Sequence, residues 1–312
     1  MEDFFFLRPG ALGDLLLAAP VMPAVRAGRP RARLTLAGQS GAVRLLQACG
    51  LVDVGLSQDD RRLQGLFAVA TTIGEQQAPW GRVDVAVAWL RDEEGVVADN
   101  LRRMGARQVV VAPSQPPPGS RQHVTDHLFA SVASLGLGAS CPRQEALLTA
   151  SASDRTWAGE TLRELDPRPL PLLAFHAGSG SKRKNWPATS FATVIDALAA
   201  EHRVVLMCGP ADAEATRDLL VATRSRVPVL REPSLGRLAG LLAESDAYVG
   251  NDSGLSHLAG LLGVPTVVLF GPTDPARWRP NGPRVAVLNW GEDPASLKAE
   301  VVVEAVLRAK RR

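Results

Sequence analysis

Three groups of residues in this chain have the types and spacing to do chemistry. The first is Asp14, which closes the glycine-containing turn Arg8-Pro9-Gly10-Ala11-Leu12-Gly13. A carboxylate at the start of a helix serves either as a first-turn acid that complements the helix dipole or as an acceptor for a proton. The second group is a glycine-rich loop after an apolar strand, in which Lys182, Arg183 and Lys184 place cations in succession. It lacks the G-x-x-x-x-G-K-[ST] spacing of a P-loop. It is therefore either a solvated basic loop or a phosphate-attracting one. The third group is Gly250-Asn251-Asp252-Ser253-Gly254, with His257 following. Asn, Asp and Ser bond their own backbone in turns, and the free N–H groups of the next helix favour an anion, phosphate above all. Asp252 and Ser253 alone could simply cap that helix. His257, about one turn beyond Ser253, should share its mouth. Asp, Ser, His and two glycines at one helix start favour a binding site.

These groups need regular elements to hold them, and the sequence supplies the same pattern twice. Residues 4–7 read as a strand, and residues 15–26 as a buried helix interrupted near Pro20. Strands at 33–37, 52–54, 83–89 and 108–112 alternate with helices at 41–49, 99–104 and 123–135. The polar stretch Asp59-Asp60-Arg61-Arg62 reads as a solvated face. A stiff proline-rich connection at 166–171 follows the helix at 154–165, and the domain boundary is placed there. The pattern then restarts with strands at 172–176 and 203–208 and helices at 189–201, 212–222 and 234–244. A strand ending at Val249 leads to a helix at 255–263, closed by Gly263 and Pro265, and then to a β-branched strand at 264–270. Such alternation predicts an α/β protein of two Rossmann-like parallel-sheet domains facing a central cleft. The expected limits are 1–166 and 167–293, with a terminal helix in 294–312 packing back on the first domain.

Composition narrows the functions open to the chain. At 312 residues, 46% hydrophobic and 21% charged, it has the make-up of a soluble globular protein of about two domains. A net charge of +3 and a single Tyr suit an anionic ligand or an anionic membrane face, and argue against nucleic acid. Cys49, Cys141 and Cys208 are widely spaced in apolar surroundings and read as buried free thiols in a reducing compartment. His123 and His127 lie four apart on a helix with no Glu or Cys to complete a metal set, and read as surface or acceptor-side residues; no metal site is expected. With no signal-peptide pattern and no apolar run long enough to span a bilayer, a cytoplasmic location is expected, with peripheral contact at the inner membrane still open.

The stretches GALGDLLLAAPVMPAVR, HAGSGSKRKNWP and VGNDSGLSHLAGLLGVPTVVLFGPTDPARWRP resemble the signature segments of glycosyltransferase family 9, the bacterial heptosyltransferases. The resemblance covers nearly the whole chain in the right order, and the third segment is highly specific. It implies the two-Rossmann glycosyltransferase fold (GT-B), with the acceptor on the first domain and the nucleotide sugar on the second. It further implies transfer of heptose from an ADP-sugar to the inner core of lipopolysaccharide, with inversion at the anomeric carbon and no cofactor. By position, Asp14 matches the general base and Lys184 the lysine on the donor phosphates. Asp252, Ser253, Gly254 and His257 match the loop and helix start that hold the donor's diphosphate and sugar. Glu214 is a weaker match to an acid near the ribose. Residues 55–122 match least, and that is the region that would select a lipid-linked or core-saccharide acceptor.

The residues support such chemistry independently of the family. Inverting transfer needs a carboxylate to take the acceptor proton and fixed positive charge for the departing diphosphate. The chain has no Asp-x-Asp, the carboxylate pair of metal-dependent glycosyltransferases, so a metal-independent reaction assembled by domain closure is expected. The rival readings are a catalytically silent nucleotide-sugar-binding protein and a nucleotide-sugar epimerase of the same fold.

Overall fold

The computed structural model describes residues 2–69, 78, 81–136 and 141–310. The chain divides into two compact units, residues 1–142 and 143–312. In the first, strands β1 (Asp3–Arg8), β2 (Arg33–Gly38), β3 (Val54–Ser57), β4 (Val85–Trp89) and β5 (Gln108–Ala112) form one parallel sheet in the order β3-β2-β1-β4-β5. Helices α1 (Leu12–Ala18), α2 (Val21–Gly28), α3 (Ser40–Ala48), α4 (Val96–Arg103) and α5 (Val124–Ser131) connect and cover it. The break between α1 and α2 falls at Pro20, which caps α2 and cannot continue α1. β1 and β4 are apolar on both faces because a parallel sheet is covered on both sides, and Phe5, Leu7, Ala86 and Ala88 join one core with Leu101 of α4.

The second unit begins earlier than the sequence suggests. Helix α6 (Ala152–Leu165) belongs to it, since α6 packs against α9 (Leu235–Ala243). Arg155 reaches Glu244 at 2.8 Å, and a β-carbon at Gly240 would collide with the backbone of Asp154. The expected boundary at residue 166 is therefore corrected to 142/143; the proline-rich stretch is only the link from α6 into the sheet. That sheet contains β6 (Leu172–His176), β7 (Arg203–Cys208), β8 (Val229–Arg231), β9 (Ala247–Asn251), β10 (Thr266–Phe270) and β11 (Val285–Asn289), all parallel, in the order β11-β10-β9-β6-β7-β8. The remaining helices are α7 (Ala188–Leu198), α8 (Ala213–Ala222), α10 (Gly254–Leu261), α11 (Pro275–Trp278) and α12 (Ala299–Lys310). The expectation that the last helix returns to the first unit is also corrected. Val302 and Val306 of α12 are fully buried in the second unit's own core with Val194 and Ile195 of α7 and Leu269 of β10.

Both sheets reverse their winding at one place, between β1 and β4 in the first and between β6 and β9 in the second. At such a switch point the connections leave in opposite directions, and the crevice at the carboxyl ends of the strands accepts ligands. The Asp14 turn leaves β1 at the first switch point. The lysine loop leaves β6, and the Asp252 turn leaves β9, at the second.

Candidate active site

In the first unit, Asp14 sits in the first turn of α1 with both carboxylate oxygens engaged. Oδ2 accepts the backbone N–H of Ala11 at 2.9 Å, and Oδ1 accepts from Arg8 Nη2 at 3.0 Å. Arg8 is almost wholly buried at the end of β1, whereas about a quarter (26%) of the Asp14 side chain remains exposed. Burial pulls the Arg8 guanidinium below its ordinary value, and the Asp14 charge offsets part of this. Gly10 makes the arrangement fit: its φ is +139°, and a β-carbon there would press on the Asp14 carboxylate. Asp14 thus has a capping and ion-pairing role and still presents a carboxylate edge to solvent.

In the second unit, the sequence-identified residues are drawn together by a buried amide. Asn251, at the end of β9, donates through Nδ2 to the carbonyl of Ala177 at 2.7 Å and accepts the Trp186 N–H at Oδ1 at 3.0 Å. One side chain therefore ties down both ends of the lysine loop. Asn251 and the preceding Gly250 lie within β9 and not in the turn, because β10 supplies ladder partners to that point. The loop in turn places Lys184, whose Nζ donates to Asp252 Oδ2 at 2.8 Å. Thr273 Oγ1 donates to the same oxygen at 2.8 Å. The Asp252 side chain is 5% exposed and that of Lys184 29%, so the pair has a buried anion and a cation at the surface. Ser253 is the N-cap of α10, but its hydroxyl makes no capping bond to the helix. The first-turn N–H groups of Gly254 and Leu255 have no intrahelical acceptor, as in any helix start.

The Ser253 hydroxyl is used elsewhere. It lies 3.2 Å from His176 Nδ1, and His176 Nε2 lies 2.9 Å from Asp212 Oδ2, which also accepts the Gly209 N–H at 2.8 Å. Burial alone would push the Asp212 carboxyl up; the hydrogen bond and charge of His176 and the Gly209 N–H outweigh it and hold the group below the usual carboxylate range. Gly178 permits this approach, since a β-carbon there would collide with the Asp212 carboxylate. Sequence reading passed over His176 and Asp212 and took Asn251 only as a residue of the turn. The available signal was position alone: each ends a strand or follows a strand-end glycine.

The other expected residues fall as follows. His257 is buried within α10, as is every residue from Leu255 to Leu261. Glu214, in the first turn of α8, pairs with Lys182 at 2.5 Å on an exposed surface, and Lys182 lowers its carboxyl. His123 is not a surface residue: it is buried and caps α5, its Nδ1 accepting from the Thr125 N–H at 3.1 Å. Cys49 and Cys141 are half-exposed rather than buried; Cys208 is buried. Among the described residues, no three His, Cys, Asp or Glu side chains are grouped to hold a metal ion, and no helix is long and apolar enough to cross a membrane.

Two parallel-sheet units of Rossmann type, with polar turns at both switch points, define a two-domain α/β protein of the GT-B kind. The chain belongs to glycosyltransferase family 9 (heptosyltransferase), whose family model matches residues 102–304. Lipopolysaccharide heptosyltransferase 1 of Pseudomonas aeruginosa is 35% identical over 129 residues, which is 41% of this chain and 36% of that protein. The match thus spans about a third of that curated relative's length. Among solved structures, the family 9 glycosyl transferase from Veillonella parvula superposes with a TM-score of 0.82 at 20% identity, covering 99% of this chain and 97% of that one. The E. coli ADP-heptose lipopolysaccharide heptosyltransferase II gives a TM-score of 0.77 at 20% identity, covering 100% and 99%.

Proposed function

We propose that this chain is an inverting glycosyltransferase that moves a heptose-type sugar from an ADP-sugar to an acceptor like the lipopolysaccharide core. The observation that carries this reading is the Lys184–Asp252 pair, held at the start of α10 and at a switch point, in a family 9 chain. A carboxylate repels a phosphate, so Asp252 does not bind the diphosphate directly. It aims the Lys184 ammonium, and its Oδ1 is left to accept a sugar hydroxyl. Lys184 and the N–H groups of Gly254 and Leu255 supply the positive field on the donor diphosphate. His257 and Glu214 are assigned to the sugar and ribose ends of the same donor. The donor identity is supported by the names of the relatives, one a lipopolysaccharide heptosyltransferase and one an ADP-heptose enzyme.

In the reaction, an acceptor hydroxyl oxygen attacks the anomeric carbon on the face opposite the diphosphate. The bond from that carbon to the diphosphate oxygen breaks, its electron pair leaves with ADP, and the hydroxyl proton passes to Asp14. Arg8 holds the carboxylate in place throughout. No cofactor or metal takes part in this scheme. The acceptor places the reaction at the cytoplasmic face of the inner membrane. The test is ADP release from ADP-heptose by the intact protein with and without a lipopolysaccharide-core acceptor. Release that needs the acceptor, with a matching gain of one sugar by the acceptor, supports transfer. Binding with no release indicates a silent nucleotide-sugar binder, and conversion of the sugar without acceptor indicates an epimerase.

A further inference from the structure

We propose that His176 is a positioning residue for the donor diphosphate: an anion bound at the start of α10 draws a proton onto the His176 ring, which Asp212 holds from its other side, and Ser253 then turns its hydrogen outward to a phosphate oxygen. This rests on the donor reading above and adds a proton to donor binding. The buried chain of hydroxyls has few hydrogens to share. Ser256 Oγ donates to the carbonyl of Asn251 at 2.5 Å, which uses its only hydrogen. Tyr248, buried with its phenol pushed up by desolvation, must then be the donor to Ser256 at 3.0 Å. Ser253 has one hydrogen of its own, and its inward acceptors are His176 Nδ1 at 3.2 Å, Ser256 Oγ at 3.4 Å and the Tyr248 oxygen. With a neutral His176 whose Nε2–H faces Asp212, Nδ1 is an acceptor and takes the Ser253 hydrogen inward. With a second proton on the ring, Nδ1 is a donor. It gives to Ser253 Oγ, and the serine hydrogen, left with only the long contact to Ser256 and the Tyr248 oxygen inward, turns to a phosphate oxygen when one is bound.

Three features fit this better than a purely structural His–Asp pair. The Ser253 hydroxyl forgoes the usual N-cap bond. The strand that carries His176 adjoins β9 at the switch point, with His176 beside Gly250 in the register. Asp212 is buried against the ring and is already ionised at neutral pH, which favours a charged partner. Other charged or ionisable groups on the surrounding elements are Arg203 and Cys208 on β7, Tyr248 on β9, His257 on α10, Glu214, Arg217 and Asp218 on α8, and Lys182, Arg183 and the Lys184–Asp252 pair in the adjoining turns. An anion favours the protonated ring, so affinity should be higher toward acid and should fall as pH rises.

The test uses the intact protein and ADP-glucose, a diphosphate diester whose phosphates do not titrate between about pH 6 and about pH 9, where histidine does. Calorimetric titrations in buffers of different ionisation enthalpy count the protons taken up on binding. For wild type, the expected result is net uptake of up to about one proton and an affinity that falls by up to about tenfold per unit rise in pH. His176→Gln should bind with no uptake and a flat pH profile, and Asp212→Asn should move the uptake to lower pH. Thermal melting checks that both variants fold, and the wild-type proton count stands without them. Wild-type binding with no proton uptake would overturn the inference and leave the donor reading intact. Uptake that persists in a folded His176→Gln would overturn it too, by placing the proton elsewhere. Failure of wild type to bind either ADP-glucose or ADP would overturn the donor reading itself.

Discussion

Lys184 holds a buried carboxylate with one ammonium group, and in the proposed reaction it must hold a diphosphate as well. Replacing it with Ala removes a charge-assisted bond to the donor and strips Asp252 of its ionic partner, leaving only Thr273. ADP affinity should therefore drop by about 1.5–3 kcal/mol, or roughly 10- to 150-fold. The variant should also melt at lower temperature than wild type, because the stranded carboxylate is buried. Titration with ADP together with a melting curve checks both; unchanged affinity would remove Lys184 from the donor site. Sequence reading found Lys184, Asp252 and Ser253 because each belongs to a compact local pattern. It missed His176 and Asp212 because their significance lies in contact between residues 36 and 77 positions apart in the chain, and no spacing rule joins them.

The strands were the most legible elements. Residues 108–112, 172–176 and 203–208 are strands to the residue, since buried parallel strands read as unbroken apolar runs. Strands β8 and β11 escaped notice: they are edge strands with half-buried residues, and their apolar signal is weaker. The same limit explains the misplaced α6 and α12. An amphipathic helix shows in sequence that it has a buried face, but not which sheet or helix will cover it. The second unit's core covers α12, and this can be measured. Val302→Ala should cost about 1–3 kcal/mol in chemical denaturation, whereas Val301→Ala, at a residue 44% exposed, should stay within about 0.5 kcal/mol. Equal effects of the two would contradict the packing described for this helix.

For the whole molecule, the proposed reaction divides the chemistry between two units: the first would carry the carboxylate and the second the positive field. With lysine and helix-start donors for the leaving group and no Asp-x-Asp in the sequence, transfer should persist in excess EDTA. Loss of activity on chelation, restored by magnesium or manganese, would overturn that part of the mechanism. The division of labour is tested most directly by Asp14→Asn, with ADP-sugar affinity and transfer rate measured on the same preparation. Asn keeps the size and can still accept the Ala11 N–H through its one oxygen, but it gives up the charge facing Arg8, so a melting curve must accompany the rates. Asn cannot take a proton. Donor affinity should stay close to wild type while turnover falls by about 10²–10⁴-fold. Turnover close to wild type would contradict the account and return Asp14 to its role as the capping partner of Ala11 and Arg8.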